Sequence, residues 1–245
     1  MFLCRSSKNI CILIFLSFFE SNKFISEVSY LLRFLFRLLK IALVLILPFV
    51  LLVRSAVFVH MNYNPGGYLS LICGIGATVV LLTIYMTFIY EMFTNRLGRI
   101  KAFKNRMVFG LVILLGFCIQ GLFFISTNNM KSSDLYEDIS DLHPIGRVAL
   151  NSVIVFDRDL IITDASRVPE DYRKMRLPTN KNSLHYRQKD GYSYAFDLRT
   201  RSRTWLHNMA VEYYFKILGF KTMRHVGTGD HLHVSLMCHY HPKSF

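Results

Sequence analysis

Unbroken apolar runs dominate the first half of the chain and give way to shorter, alternating patterns in the second. Three runs are long enough for a helix to cross a bilayer, which takes about 20 apolar residues. They are 41–59, "IALVLILPFVLLVRSAVFV", 67–90, "GYLSLICGIGATVVLLTIYMTFIY", and 107–126, "MVFGLVILLGFCIQGLFFIS". Three such helices in one short half exceed what a small soluble domain would bury, so membrane spans are expected rather than core helices. Arg54 lies inside the first run, near enough to one end to snorkel. Ahead of the spans, "ICILIFLSFF" at 10–19 has the length of a signal-like or interfacial segment. "YLLRFLFRLLK" at 30–40 sets Arg33, Arg37 and Lys40 at helical spacing among Leu and Phe, a basic amphipathic approach to the first span. Residues 1–40 therefore read as a lead-in and 41–126 as the membrane region.

After a polar linker at 127–142, residues 143–245 are enough for one small domain. "GRVALNSVIVF" is expected to start as helix, and "LIITDASR" to run as a strand into a turn. "VPEDYRKMRLPTNKNS" reads as loop. In "YRQKDGYSYAFDL" the pair Asp190-Gly191 sits between alternating residues, a hairpin signal. Leu206, Met209, Ala210, Tyr213, Tyr214 and Ile217 recur at helical spacing, with Gly219 where a C-cap belongs. "FKTMRHV", "GTGD" and "HLHVSLM" then predict strand, turn and strand. The fold class is a helical membrane region followed by a small α+β domain with an antiparallel sheet.

Composition sharpens this in two ways. The net charge is +13, but residues 1–130 hold 12 Lys and Arg against 3 Asp and Glu, whereas residues 131–245 hold 17 against 13. The excess belongs to the apolar half, where it sets topology rather than contacts nucleic acid. Arg33, Arg37 and Lys40 precede the first span, and Arg96, Arg99, Lys101, Lys104 and Arg106 separate the second from the third. The loop "HMNYNPGG" carries no Lys or Arg. The basic loops are thus cytoplasmic and the C-terminal domain is expected outside. Cys238 is the only cysteine of the polar half, so no internal disulfide supports that domain.

Eight of the nine histidines lie beyond residue 130, which points to the C-terminal domain for polar chemistry. A catalytic zinc site needs three protein ligands, commonly His and carboxylate, and one position left for water. His185 and Asp197 flank the predicted hairpin, whose turn brings its two ends back together. His231 and His233 point to one side of a strand, because side chains alternate. Asp230 follows the Gly-rich turn directly. By spacing alone, a His-x-His in a strand is more often a surface pair than a metal site.

"SLHY…AFDLRTR", followed by a helix, a strand and "DHLHV", resembles the zinc D-alanyl-D-alanine carboxypeptidase family. That family includes vancomycin-resistance D-Ala-D-Ala dipeptidases and phage L-alanyl-D-glutamate endopeptidases, and shares its fold with hedgehog signalling domains. Ser183, His185, Ala195 and Asp197 match the first part of its pattern; Asp230 and His233 match the second. The resemblance implies a zinc ion held by His185, Asp197 and His233, with Asp230 as general base and His231 shaping the site. In "IITDASRVPEDYR" it implies Arg167 as the clamp on a substrate carboxylate, a role that suits a guanidinium fork. Ser183 either helps hold substrate or caps the loop. The chain departs from the pattern between His185 and Asp197, where residues 186–196 make a longer spacer and Gln188 replaces an expected glycine. An insertion at the hairpin tip would lengthen both arms without moving their bases, and would carry Asp190, the rival ligand, away from His185.

The function so implied is a membrane-anchored zinc metallopeptidase. It would cleave peptidoglycan stem peptides and sit as a multi-pass protein in a bacterial inner membrane, with its domain in the periplasm. A second reading is an inactive, metal-containing module that binds wall peptides or a protein partner, since fold alone does not settle function. A channel or transporter is disfavoured by the few ionisable residues within the spans. The tail "CHYHPKSF" offers Cys238, His239 and His241, either as a second metal site with His233 or as an exposed tail. His207 and His225 are not expected to be ligands.

Overall fold

The computed structural model describes residues 5–94, 100–227 and 229–241. Helix α1 runs Arg5–Tyr63 with Pro48 inside it, α2 spans Gly67–Thr94 and α3 Ile100–Phe123. The chain divides into two compact units, Met1–Leu47 and Pro48–Phe245. In the first, Arg33 bonds the Ser29 hydroxyl at 3.0 Å and lies over the Tyr30 ring, one helical turn of local contacts. Of the basic run between the second and third spans, Arg96 and Arg99 lie outside the described residues; Lys101, Lys104 and Arg106 fall inside α3.

Three stretches have the length and apolarity to cross a membrane: Ile46–Tyr63, Gly67–Phe88 and Phe103–Phe123. They overlap the three predicted spans. Helices α1 and α2 approach closely at Gly74, where an added methyl would meet the Leu52 carbonyl and Ala56. Small residues at such crossings let backbones pack directly. The hydroxyls of Ser70, Thr78 and Thr83 donate to carbonyls one turn back, which satisfies these three groups within the helix.

Residues 127–142 are more ordered than a polar linker requires. They hold a 3-10 turn, Thr127–Asn129, and a short helix α4, Leu135–Ser140, and they bury Asn129, Leu135 and Ile139. The Asn129 amide donates to the carbonyls of Arg158 and Leu160, tying this stretch to the domain. Helix α5, Pro144–Phe156, is buried from Pro144 to Ile154. The buried set includes Arg147, Asn151 and Ser152 as well as the apolar residues, and α5 lies between the three long apolar helices and the sheet domain. On one side Val148 packs on Gly121 of α3 and Arg147 donates to Tyr68 of α2 at 3.0 Å. On the other, the Tyr214 hydroxyl donates to the Ala149 carbonyl at 3.0 Å.

The sheet has four antiparallel strands in the order β1-β2-β4-β3, with β1 Ile162–Asp164, β2 Ala195–Arg199, β3 Lys221–His225 and β4 His231–Ser235. Helix α7, Trp205–Leu218, is capped by Thr204 and ends at Gly219 with φ 96°, as predicted. Alternation sends Phe196 and Leu198 of β2, with Leu232 and Val234 of β4, to one face. Phe196 meets Phe215 of α7 there, ring centroids 5.4 Å apart. The other face carries Asp197, His231 and His233.

Two local readings differ from the structure. "VPEDYRKMRLPTNKNS" is not all loop: Pro169–Lys174 forms helix α6, begun by Pro169, with the Val168 amide donating to Asp171. The hairpin at Asp190-Gly191 has its turn but only one of its strands. Gly191 takes φ 84° and the Gln188 amide donates to the Tyr192 carbonyl. Before the turn the chain swings away, and Tyr186 bridges to Arg167 instead of pairing along β2.

Candidate metal centre

His185, Asp197 and His233 converge, all three buried. Asp197 and His233 are opposite each other in the β2–β4 register, so the sheet itself sets two of the three. His185 arrives from the irregular segment before β2, fixed where the Arg167 amide donates to its carbonyl at 2.7 Å. The potential ligand atoms form a near-regular triangle. His185 Nε2 lies 3.2 Å from His233 Nδ1 and 3.3 Å from Asp197 Oδ1, and His233 Nδ1 lies 2.9 Å from Asp197 Oδ1. A tetrahedral ion about 2.0–2.1 Å from each donor separates them by about 3.3 Å. The triangle therefore fits one small divalent ion.

The orientation of the His185 ring also fits. His185 Nδ1 donates to the Ala165 carbonyl at 2.7 Å, which leaves the Nε2 lone pair for the triangle. Orienting a ligand imidazole through its second nitrogen is the usual arrangement at metal sites. Burial opposes charge on His185, but the hydrogen bond and charge of Asp197, with Asp164 beyond, prevail and raise its pKa. Burial likewise penalises the Asp197 carboxylate, yet the two imidazoles hold its pKa well below the usual range. Asp197 thus remains an anion in a buried setting. His233 Nε2 is buried with no partner, and His233 lines a groove of about 390 Å³ with Phe220, Lys221, Met223 and Ser235.

The remaining candidates take other places. His231 lies on the same sheet face, 29% exposed, with Nε2 3.6 Å from Asp197 Oδ2; its Nδ1 donates to the Gly229 carbonyl. It stacks on His225, ring centroids 4.7 Å apart. Asp230 accepts from the Thr200 hydroxyl at 2.6 Å and from Arg224 at 3.2 Å, and these bonds lower its pKa. Arg224 is in register with Leu232, on the face away from the triad, so Asp230 is drawn to the opposite side from His233. Arg167 forks onto Asp164, which also stands 4.0 Å from His185 Nδ1. Its guanidinium is already engaged by an internal carboxylate. The Ser183 hydroxyl accepts from the His185 amide at 3.3 Å, the loop-capping alternative. Asp190 accepts from the Tyr194 hydroxyl and the Tyr192 amide, so the tip does hold it away from the ligands.

Two contributors escaped the sequence reading. Gln188, in place of the expected glycine, is buried and its amide donates to the carbonyls of Ser183 and Tyr186, bolting the loop that carries His185. Asp164 links Arg167 to His185. At the other end, the described part of the tail is anchored, although Tyr240 is exposed: Cys238 is buried and His239 Nε2 donates to the His60 carbonyl at 2.7 Å. Among the described residues, the triad is the one His/Cys/Asp/Glu group with metal-binding geometry, so Cys238, His239 and His241 form no second site. No family model, curated protein or solved structure matches the chain.

Proposed function

We propose that the chain is a membrane-anchored zinc peptidase acting on peptidoglycan stem peptides, with its domain on the outer side of a bacterial inner membrane. The observation that carries this reading is the buried triangle of two imidazoles and one carboxylate at tetrahedral spacing. A donor set of two nitrogens and one oxygen, closed to three ligands, suits zinc and leaves a fourth position. A zinc ion there would lower the pKa of a bound water to about 7 and polarise a carbonyl.

The chain's own groups do the rest. Asp197 supplies the negative charge that offsets the ion, and the Ala165 carbonyl fixes the His185 tautomer. The groove beside His233, with Phe220 and Met223 as walls and Lys221 at its rim, receives the peptide. His231 is the part-exposed imidazole of the site face and the group best placed to move a proton. Asp230, implied as general base by resemblance, would have to release Thr200 and Arg224 first.

That last point favours a second reading on specific grounds. With Arg167 held by Asp164 and Asp230 held by Thr200 and Arg224, two of the groups a peptidase of this kind would use are engaged elsewhere. A metal-containing binding module needs neither. The full chain in lipid nanodiscs separates the two. The peptidase reading requires bound zinc together with cleavage of purified muropeptides that is lost in His185→Ala. Zinc without cleavage establishes the binding module, and absence of any bound metal refutes both.

A further inference from the structure

Helix α7 presents a second, outward stripe. Its buried side is Asn208, Val211, Phe215 and Leu218, which meets the core. On the opposite side Leu206, Ala210, Tyr213 and Ile217 recur at spacings of four, three and four, the period of one helix face. Leu206 is 62% exposed, Tyr213 56% and Ile217 59%, and Trp205 at the start of the helix is 66% exposed. Phe156, at the end of α5, is 77% exposed and borders a hollow with His207 and Ala210 of α7, whose other walls include Asp157, Asp159 and Arg203. Exposed apolar patches of this continuity mark a contact surface.

The level at which α7 ends identifies what covers it. Gly219, its C-cap, is packed against α1: a methyl group there would meet the Arg54 guanidinium and lie 3.0 Å from Val57. Both residues fall within the apolar stretch Ile46–Tyr63. At 1.5 Å per residue, Arg54 lies roughly 13 Å along the axis from the end of α1 at Tyr63. The apolar core of a bilayer is about 30 Å thick, so α7 terminates beside the outer half of the span rather than above it. Arg54 itself is explained by this contact, because a cation is favourable at a helix C-terminus, where unpaired carbonyls point outward. Trp205 and Tyr213 are the side-chain types that settle at membrane interfaces.

We infer that the outer face of α7 is immersed in the outer leaflet, with Ile217 deepest and Trp205 nearest the headgroups. The domain is then a partly embedded body, and its metal centre works at the membrane surface. This rests on the membrane reading of α1 to α3 and is independent of any catalytic activity.

Trp205 is the only tryptophan in the chain, so emission from the unaltered protein reports one position. The full chain is placed in nanodiscs of ordinary phosphatidylcholine or of phosphatidylcholine brominated on its acyl chains. The probe is then moved inward in Trp205→Phe/Tyr213→Trp and Trp205→Phe/Ile217→Trp. Immersion predicts emission loss in brominated lipid that grows from position 205 to 213 to 217, with little quenching by aqueous iodide at 213 and 217. Iodide quenching without bromolipid quenching at 213 and 217 places the face in water and overturns the inference. Protection from both quenchers would mean that protein, such as a second copy of the chain, covers the stripe, and overturns it equally.

Discussion

Asp197 and His233 are direct partners across β2 and β4, and their side chains meet at 2.9 Å on the sheet face away from the core. Adjacent antiparallel strands hold opposed residues at a nearly fixed separation. Two thirds of the triangle is therefore as rigid as the sheet. The remaining third, His185, depends on a loop whose order comes from side chains: Gln188 bonding two carbonyls, Ser183 accepting from the His185 amide, and the Ala165 carbonyl accepting from the ring.

The ligand assignment separates cleanly from the general-base assignment. His185→Ala and Asp197→Ala should each weaken zinc binding by more than the roughly 10–100-fold that loss of an outer partner costs. Asp230→Ala should leave zinc affinity unchanged, because that carboxylate is bonded to Thr200 and Arg224. Competition with a chelating dye on the full chain measures all three. Equal loss in Asp230→Ala would place Asp230 among the ligands.

Much of this was legible in the sequence because it is written in short-range patterns. The three spans follow from length and apolarity, and α7 from its spacing with Gly219 at its end. The β3–β4 hairpin follows from a Gly-rich turn between alternating residues. What escaped depends on contacts between distant residues. Asp230 stands three before His233 in sequence, but its orientation is set by Thr200 and Arg224, which no local pattern reveals. The predicted hairpin arm at 186–189 was overridden because Tyr186 pairs with Arg167. Helix α6 carried its own signals, Pro169 first, Glu170 and Asp171 in the first turn, Arg173 and Lys174 in the last. Its brevity between two prolines hid them.

Gln188 should matter to the metal centre although it touches no ligand atom. Gln188→Ala removes both amide bonds and leaves the half-buried carbonyls of Ser183 and Tyr186 short of a donor. Zinc affinity is expected to fall about tenfold, the lower end of outer-partner losses, while circular dichroism shows an unchanged fold. Unaltered affinity would mean that the Ala165 carbonyl and the Arg167 amide position His185 unaided.

Asp138 gives stability a pH dependence of its own. Burial, then the charges of Asp171, Asp164 and Glu137, push its carboxyl up to about 6 from 3.8. A carboxyl raised on folding favours the folded state fully below its unfolded value, and that advantage is lost as pH rises through about 6. Asp138→Asn should therefore stabilise the chain by about 1 kcal/mol at pH 8, after discounting for solvent screening, and change nothing at pH 4. Denaturant midpoints at the two pH values test this. An equal gain at both would trace the effect to something other than ionisation.

Gly219 packs the domain against α1 and is sensitive to substitution on two counts. Its φ of 96° lies in the left-handed region, where a β-carbon costs about 1–2 kcal/mol. The same β-carbon would also displace Arg54 and press on Val57 at 3.0 Å. Gly219→Ala should thus lower stability by at least about 1–2 kcal/mol, since the Arg54 guanidinium, at the far end of a flexible side chain, must shift from the end of α7. Asparagine tolerates the left-handed region better than alanine does, so Gly219→Asn should lose less despite its greater bulk. Unfolding of the full chain in nanodiscs ranks the three proteins. If Asn proves worse than Ala, crowding against α1 outweighs backbone conformation at the end of α7, and the packing of that cap on Arg54 and Val57 is tighter than the backbone cost alone implies.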